Sequence, residues 1–506
     1  MNRISSRIRK LAAIAPAVLA LSCNAVLPEE YAINIPMGAL LGWGIEPPPP
    51  DEIDTRFEAP HGLGVSLYAE GLPNARILRF TPAGDLLVST PRSGAVVVLE
   101  RPASAGGRPA GRRTLIEGLN RPHGIEIHDG WLYIAETDAV GRIRFDVATG
   151  TVEGEFERVL EGLPGGGNHW SRTLRAGPDG KFYVSIGSSC NVCIEEDPRR
   201  STILRFDPDG DNPEILATGL RNSVGFDWRP EDGQLYATDN GRDLLGDDFP
   251  PEELNLIVEG GFYGWPSANG NRVPDPDFGA NRESEIAASI PPAYSFPAHN
   301  APLGITFIRS PTAPAMLRGA ALVALHGSWN RTTKDGYKVV SLHWDDAGRI
   351  SQRDFLTGYL SDDTVIGRPV DVAEGPDGAI YISDDYAGAI WRVAAAEHSV
   401  PPATPAQAAV DPPSNSAPGN AARGRQLFDT QGCAGCHDPS RAAPGVVPVP
   451  LRELGARYSS DSLVALLLTP PPPMPVVPLS PEQRQDLAAF LLAPTPAPNA
   501  EARRTS

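Results

Sequence analysis

A turn-then-strand signal recurs six times along the 506 residues. Ala83-Gly84 precedes DLLVST, Asp129-Gly130 precedes WLYIAET, Asp179-Gly180 precedes KFYVSIG, and Asp232-Gly233 precedes QLYATDN. A more divergent copy begins near Pro302-Leu303-Gly304 and includes ALVALHG; the last runs from Gly367-Arg368-Pro369 through Pro376-Asp377-Gly378 to AIYISDD. Gly71-Leu72, Gly118-Leu119, Gly162-Leu163 and Gly219-Leu220 open the first four segments. Asp-Gly suits a tight hairpin because glycine accepts positive φ, and the alternation that follows suits a half-buried strand. Four strands need roughly 40 residues, so a repeat of this length with irregular spacing indicates a β-propeller with long loops on one face. Six copies predict six blades. The chain is therefore expected to be mainly β, with a propeller over 56–397.

The C-terminal part has a different character. Asn420 is placed to cap a helix containing Leu427 and Phe428, and Ser480-Pro481-Glu482-Gln483 has the pattern of a capping box. Between them lies TQGCAGCHD, in which Cys433, Cys436 and His437 form the attachment signature of haem c. The cysteines would carry the thioether bonds, and His437 would ligate the iron. Met474, in TPPPPMPVVP, is the sole methionine of this segment and the candidate sixth ligand. A thioether ligand raises the potential and suits an electron acceptor. Residues 420–494 thus read as a small all-α cytochrome c domain, followed by a tail over 495–506. A Pro-, Ala- and Ser-rich linker over 398–419 separates it from the propeller.

Residues 1–23 read as an export signal: Arg3, Arg7, Arg9 and Lys10 precede an apolar stretch, Leu11 to Leu21, too short to span a bilayer. Ala20-Leu21-Ser22-Cys23 resembles a lipobox, so lipidation at Cys23 and plain cleavage near Ala25 both stand. Either places the chain in a bacterial periplasm, with membrane attachment by a lipid anchor only. Residues 24–55, with the run Pro47 to Pro50, read as a spacer. Of the five cysteines, Cys190 and Cys193 share the haem spacing, but Ile194 stands where a haem histidine would be. In an oxidising compartment the expectation for this pair is a local disulfide. The formal charge of −18, which becomes −22 without the four basic leader residues, argues against nucleic acid as a partner.

The propeller carries polar residues that strand packing does not require. GGGNHWSRT places His169 in a loop at a blade edge, and GLRNSVGF places Arg221 and Asn222 at the start of the next blade. Together with RPHGIEIHDGWLYIAETD, NHWSRTLRAGPDGKFYVSIGSSCNVC, TDNGRDLLGDDFPPEELNLIVEGGFYGWP, LHGSWNR and GRPVDVAEGPDG, these segments resemble the PQQ-dependent sugar dehydrogenases. The likeness is greater to the L-sorbosone and pyranose dehydrogenase branch than to soluble glucose dehydrogenase. It implies His169 as the base for the hydroxyl being oxidised, Arg221 as the group polarising the quinone, and Asn222 beside it. Arg368 would face a PQQ carboxylate, with Arg92 and Arg331 as further candidates. The backbone carbonyls of Gly241 and Arg242 would hold calcium. The acidic run Asp243, Asp247, Asp248, Glu252 and Glu253 offers further hard oxygen ligands. Where the glucose enzymes have an Ile-Gly-Asp aspartate supporting the histidine, this chain has Ile186-Gly187-Ser188, which fits the sorbosone branch.

The chemistry is coherent on its own terms. Oxidising an alcohol or hydrated aldehyde requires a base for the O–H proton, a hydride acceptor, and a positive environment for the charge that develops. The sequence therefore predicts a quinohaemoprotein that oxidises a sugar or sugar-derived aldehyde with PQQ, Ca²⁺ and haem c, and passes electrons to an external acceptor. Six-bladed propellers also host calcium-dependent lactonases, and a propeller can serve as a docking module without catalysis, so those alternatives stand at this point.

Overall fold

The computed structural model describes residues 44–395, apart from 105 and 312, and, within the C-terminal segment, 420–431, 433–437, 441, 451, 454, 460–468, 477 and 479–493. Cys23, Met474, the leader, the linker and the tail lie outside the described residues. Two compact units divide the chain, one up to Thr404 and one from Pro405.

The first unit is a six-bladed propeller. Six antiparallel sheets follow in order, and blade 1 consists of Leu78–Phe80, Leu86–Thr90, Ala95–Leu99 and Arg112–Ile116. Blades 2 to 5 repeat this meander over 125–161, 174–218, 226–296 and 302–356. Blade 3 gains a fifth, parallel strand, Gly261–Phe262. Blade 6 takes its three inner strands, Pro369–Glu374, Ile380–Asp384 and Ala389–Ala395, from the end of the unit, and its outermost, Leu63–Ala69, from the beginning.

All six strands singled out in the sequence are the second strands of their blades. The hairpin expectation holds most tightly in blade 2, where Asp129 and Gly130, at φ 47° and 75°, join the facing pair His128 and Trp131 in a two-residue turn. The half-buried expectation needs correction. Five of the six second strands are buried at every position. The reason is face-to-face packing of neighbouring blades, so alternation sorts residues between two neighbours instead of between core and water. Leu86 and Val88 pack towards blade 6, while Leu87 packs towards blade 2; Leu132 and Ile134 face blade 1, while Tyr133 and Ala135 face blade 3.

The inner strands are linked by a circle of alternating charge. Arg79 of blade 1 lies 3.5 Å from Glu126 of blade 2, which lies 3.7 Å from Arg175 of blade 3. Arg175 pairs with Asp227 of blade 4 at 2.9 Å, and Asp227 pairs with Arg309, just past the inner strand of blade 5, at 2.8 Å. Blade 6 completes the circle through backbone groups: Glu374 accepts from Arg309 N, and Asp371 accepts from Leu78 N. Burial pushes the Asp227 carboxyl up, but Arg175 and Arg309 together hold it below its ordinary range.

The spacer reading also needs correction over 44–55. Ile45 N donates to Tyr386 O, and the helix Ile53–Arg56 buries Ile53, which with the neighbouring Phe57 joins the core between blades 5 and 6. Phe57 contacts Trp391 with ring centroids 4.5 Å apart.

The second unit is helical. Asn420 caps Ala421–Thr430 by accepting from Ala422 N and Arg423 N, and Ser480 and Gln483 form the expected capping box of Pro481–Leu491. The two helices pack through Phe428 and Phe490 and are tied by Asp486, which accepts from Asn420 N and Arg423 Nε. The short helix Ala434–His437 carries the last residues of the haem signature, and Cys433 and Ala434 sit against the same core.

Replacing Asp227 by Ala should leave the buried Arg175 with only the more distant Glu126, and Arg309 without its carboxylate. A loss of about 3–5 kcal/mol in unfolding free energy is expected, read from denaturant unfolding of the propeller signal; an unchanged midpoint would remove the circle from the account of stability.

Candidate functional site

The top of the propeller is built by the segments that enter each inner strand and leave each second strand. Arg76 precedes the inner strand of blade 1, His169 that of blade 3, Arg221 and Asn222 that of blade 4, and Arg368 that of blade 6. Asn240 and Gly241 follow the second strand of blade 4, and His326 and Gly327 that of blade 5. These residues line one cleft of about 240 Å³, joined by Trp170, Asp243, Glu252, His299 and Trp329. Residues more than two hundred positions apart thus meet because every blade delivers its connectors to the same face.

His169 is held from one side. Its Nδ1 lies 2.9 Å from both the carbonyl oxygen and the Oγ of Ser188. A carbonyl only accepts, so Nδ1 carries the proton and Nε2 keeps its lone pair. Ser188 Oγ in turn donates to Cys190 O at 2.7 Å, which leaves it as an acceptor towards the imidazole. Burial, and then the Arg221 charge, brings the imidazole pKa down to about 3. His169 is therefore a neutral base at physiological pH. Gly187 permits this arrangement, since a Cβ there would stand 2.6 Å from both His169 Cβ and Asn222 Oδ1.

Arg221 is braced on nearly every nitrogen. Its Nε donates to Asn191 O at 2.8 Å, and Nη2 to Asn191 Oδ1 at 2.9 Å and Asp243 Oδ2 at 2.8 Å. Nη1 donates to Asn240 O, and the Arg221 and Asn222 amides both donate to the Asp239 carboxylate. Cys190 and Cys193 form the expected disulfide, so Asn191 sits inside a closed four-residue loop.

On the opposite wall, Arg368 donates to the carbonyls of His326 and Gly327. Asp385 binds His326 Nε2 at 3.0 Å and Arg76 Nη1 at 2.8 Å. Burial and the Arg368 charge outweigh Asp385 and bring His326 down to about 4. Arg76 Nε is buried without a hydrogen-bond partner among the described residues. Arg121 stacks over Trp170 at 4.0 Å, which adds a further cation beside the cleft. Beside Gly241, Glu252 accepts from the Gly241 amide, and burial raises its carboxyl well above the ordinary range; burial likewise raises Asp239 to about 7.

The sequence-derived residues thus divide. His169, Arg221, Asn222, Gly241 and Arg368 come together in the cleft. Arg92 lines an adjoining hollow with Arg368 and Asp385. Arg331 does not line the cleft: its guanidinium is turned onto the carbonyls of Asp247, Ala298 and Thr333. Asp247 and Asp248 belong to the same brace, through Thr332 N and Arg331, and also do not line the cleft, which corrects their expected place beside a metal. Arg242 turns its side chain onto Asp275 and Asp277, so only its backbone is left for the expected role. Arg76, Trp170, His299 and His326 were not singled out from the sequence. His326 lies inside LHGSWNR, whereas Arg76, in NARILRF, has no signal beyond its place before a strand.

Comparison with known proteins agrees with this architecture. The Glucose / Sorbosone dehydrogenase family profile matches residues 128–392, and the Cytochrome c profile matches 421–493. An uncharacterized protein of Borreliella burgdorferi is 30% identical over 364 residues, 68% of this chain and 92% of that one. The pyrroloquinoline quinone-dependent sugar dehydrogenase of Hypocrea jecorina is 26% identical over 324 residues, 53% of this chain and 73% of its own. The holo PQQ domain of pyranose dehydrogenase from Coprinopsis cinerea superposes with a TM-score of 0.58 at 22% identity, covering 67% of this chain and 96% of that domain. The chain belongs to the glucose/sorbosone dehydrogenase family of PQQ-dependent sugar oxidoreductases and carries a cytochrome c domain behind its propeller.

Proposed function

We propose that this protein is an exported quinohaemoprotein dehydrogenase that oxidises a sugar or sugar-derived aldehyde and delivers the electrons through haem c to an external acceptor. The observation that carries this reading is His169, neutral, with its Nε2 lone pair unspent, beside Arg221 and Asn222 in a cleft rimmed by arginines.

The residues present fit PQQ. Three guanidinium groups, Arg76, Arg221 and Arg368, line the cleft, and Arg76 Nε is a buried donor without a partner. These suit a flat dianion or trianion, and Trp170 and Trp329 supply apolar walls. Calcium fits the acidic end, where Glu252 and Asp243 line the cleft beside Gly241. A divalent cation there would offset the cost of burying the Glu252 carboxylate. When bound, PQQ supplies the two-electron acceptor that the side chains lack.

The chain's own residues then have distinct tasks. His169 Nε2 takes the hydroxyl proton, while Nδ1–H stays on Ser188 O and fixes the ring. Arg221, held by Asn191 and Asp243, presents positive charge where negative charge develops. Burial and the Arg221 charge make the His169 imidazole a weak base, and no carboxylate stands behind it to offset them. That suits a hydroxyl more acidic than a simple alcohol's, such as an anomeric or hydrated-aldehyde hydroxyl, and favours the sorbosone and aldose classes. In the second unit, Cys433 and Cys436 would hold the haem covalently, with His437 and Met474 as iron ligands. Export to the periplasm, with or without lipid at Cys23, is part of the same proposal.

Reconstitution tests it. With PQQ and Ca²⁺ added, aldoses and aldehydes should reduce the haem, followed by its visible absorbance. Turnover of a lactone without PQQ would instead assign the propeller to the hydrolases, and no haem reduction in a PQQ-loaded protein would overturn the proposal. His169→Gln should lower kcat by about 10²- to 10⁴-fold with PQQ still bound. A lowered pKa keeps the base form populated as pH falls, so kcat should show no acid limb at the ordinary histidine value of about 6.5; a limb there would mean that His169 is protonated near neutrality. Replacing Met474 by His should lower the haem potential in a redox titration.

A further inference from the structure

The Cys190–Cys193 disulfide closes a loop that touches both groups assigned to chemistry. On one side, Cys190 O accepts from Ser188 Oγ, and Ser188 holds His169 Nδ1 through its carbonyl and hydroxyl. On the other, Asn191 meets Arg221 twice, through its backbone oxygen and Oδ1. The same Oδ1 accepts from Asp243 N at 2.9 Å, and Asn191 Nδ2 donates to Asp243 O at 3.1 Å. Asn191 therefore spends its whole amide on aligning Arg221 with Asp243, the arginine's own ion-pair partner. The His169 loop leans on this unit as well, because Asn168 N donates to Ser189 O at 2.9 Å. Glu195 anchors the far end, with its two oxygens on Ser189 N and Ser189 Oγ.

Apart from these hydrogen bonds and the cross-link, the segment has no regular secondary structure to hold it. Residues 187–200 include no helix or strand, and Ile194 beside the disulfide is 55% exposed. Cys190 and Cys193 are both half-buried, at a stretch of the surface where a thiol can approach.

We propose that the Cys190–Cys193 loop is a redox-dependent positioning element, in which the disulfide locks Asn191 onto Arg221 and Ser188 onto His169 until an external dithiol opens it. The step is a two-electron exchange: the S–S bond breaks, two protons and two electrons give two thiols, and the dithiol becomes a disulfide. Asn191 is a positioning residue, since it acts through Arg221. The catalytic consequence rests on the dehydrogenase reading above, whereas the mechanical one does not.

The test uses the full chain loaded with haem, PQQ and Ca²⁺, comparing wild type with Cys190→Ser/Cys193→Ser, a stand-in for the reduced loop that needs no reductant in the assay. A loosened loop should lower kcat by about ten- to a hundredfold, as small misplacements of catalytic groups do, with KM changed by less than about threefold. Admitting water around His169 should also move an acid limb of kcat up towards the ordinary histidine value. In the same proteins without PQQ, amide exchange should accelerate in 187–193 and 240–243 and not in the blade strands. Wild-type kcat, pH profile and exchange in the double variant would overturn the proposal. Should that variant fail to fold, Asn191→Ala with the disulfide intact decides: kcat should fall, and Asn191→Asp, which keeps both acceptor contacts, should recover part of it. An unchanged Asn191→Ala would equally overturn the proposal. If wild type oxidises no sugar but the exchange pattern appears, the dehydrogenase reading fails and the loop's locking role stands.

Discussion

The closure of the ring by Leu63–Ala69 is the constraint from which the site follows. This strand, more than three hundred residues before its partner Ala389–Ala395 in sequence, completes blade 6 with six paired positions. Only a closed ring holds blade 6 against blade 1, and hence Arg368 and Asp385 against Arg76. The cleft takes residues from the connectors of blades 1, 3, 4, 5 and 6, so it requires the first and last blades to meet. The circle from Arg79 to Glu374 works at the same radius on the inner strands. It ties neighbouring blades together by charge alternation, while the apolar clusters between blades supply the bulk of the burial.

Electrostatics then decides what the cleft accepts. The chain as a whole is strongly acidic, yet Arg76, Arg221 and Arg368 line a single hollow with Arg121 beside it. Each arginine of the lining is supported by carboxylate or carbonyl oxygens from the protein, which spreads its charge without removing it. The buried Glu252 lines the same hollow, Asp239 lies beneath it on the Arg221 and Asn222 amides, and burial drives both carboxyls upward. Cationic and hard-oxygen groups thus share one cavity, and Arg221 and Asp243 meet within it at 2.8 Å.

How much of this was legible in the sequence follows from what each signal encodes. The second strands were legible because each repeats a turn and a β-rich run, and their number gave the blade count. The misjudged burial has the same origin: alternation reports two different surroundings and does not say whether one of them is water. His169, Arg221 and Asn222 could be found because they sit in distinctive runs, GGGNHWSRT and GLRNSVGF. Arg76 could not, since an arginine before a strand is written identically whether it faces solvent or an axis. Arg331, Asp247 and Asp248 mislead for a related reason. Their residue types suit a cofactor and a metal, but here Arg331 donates to the Asp247 backbone carbonyl, the Asp247 carboxylate accepts from Thr332 N, and Asp248 lies exposed 3.6 Å from Arg331.

Ser188, at the position where the resemblance to the glucose enzymes implies an aspartate, gives His169 an uncharged support. A carboxylate behind an imidazole would stabilise the imidazolium and raise its basicity, whereas Ser188 offers a carbonyl and a hydroxyl that carry no charge. The serine has room to do this because its own hydroxyl proton goes to Cys190 O, inside the disulfide loop. Support for His169 thus comes from hydrogen bonds, which demand exact placement, and not from a charge, which works across a range of distances. A site of this kind needs a stiffer scaffold than one that relies on a carboxylate. The cross-linked loop that carries Ser188's partner on one side of Asn191 and braces Arg221 on the other supplies that stiffness where the weaker support requires it.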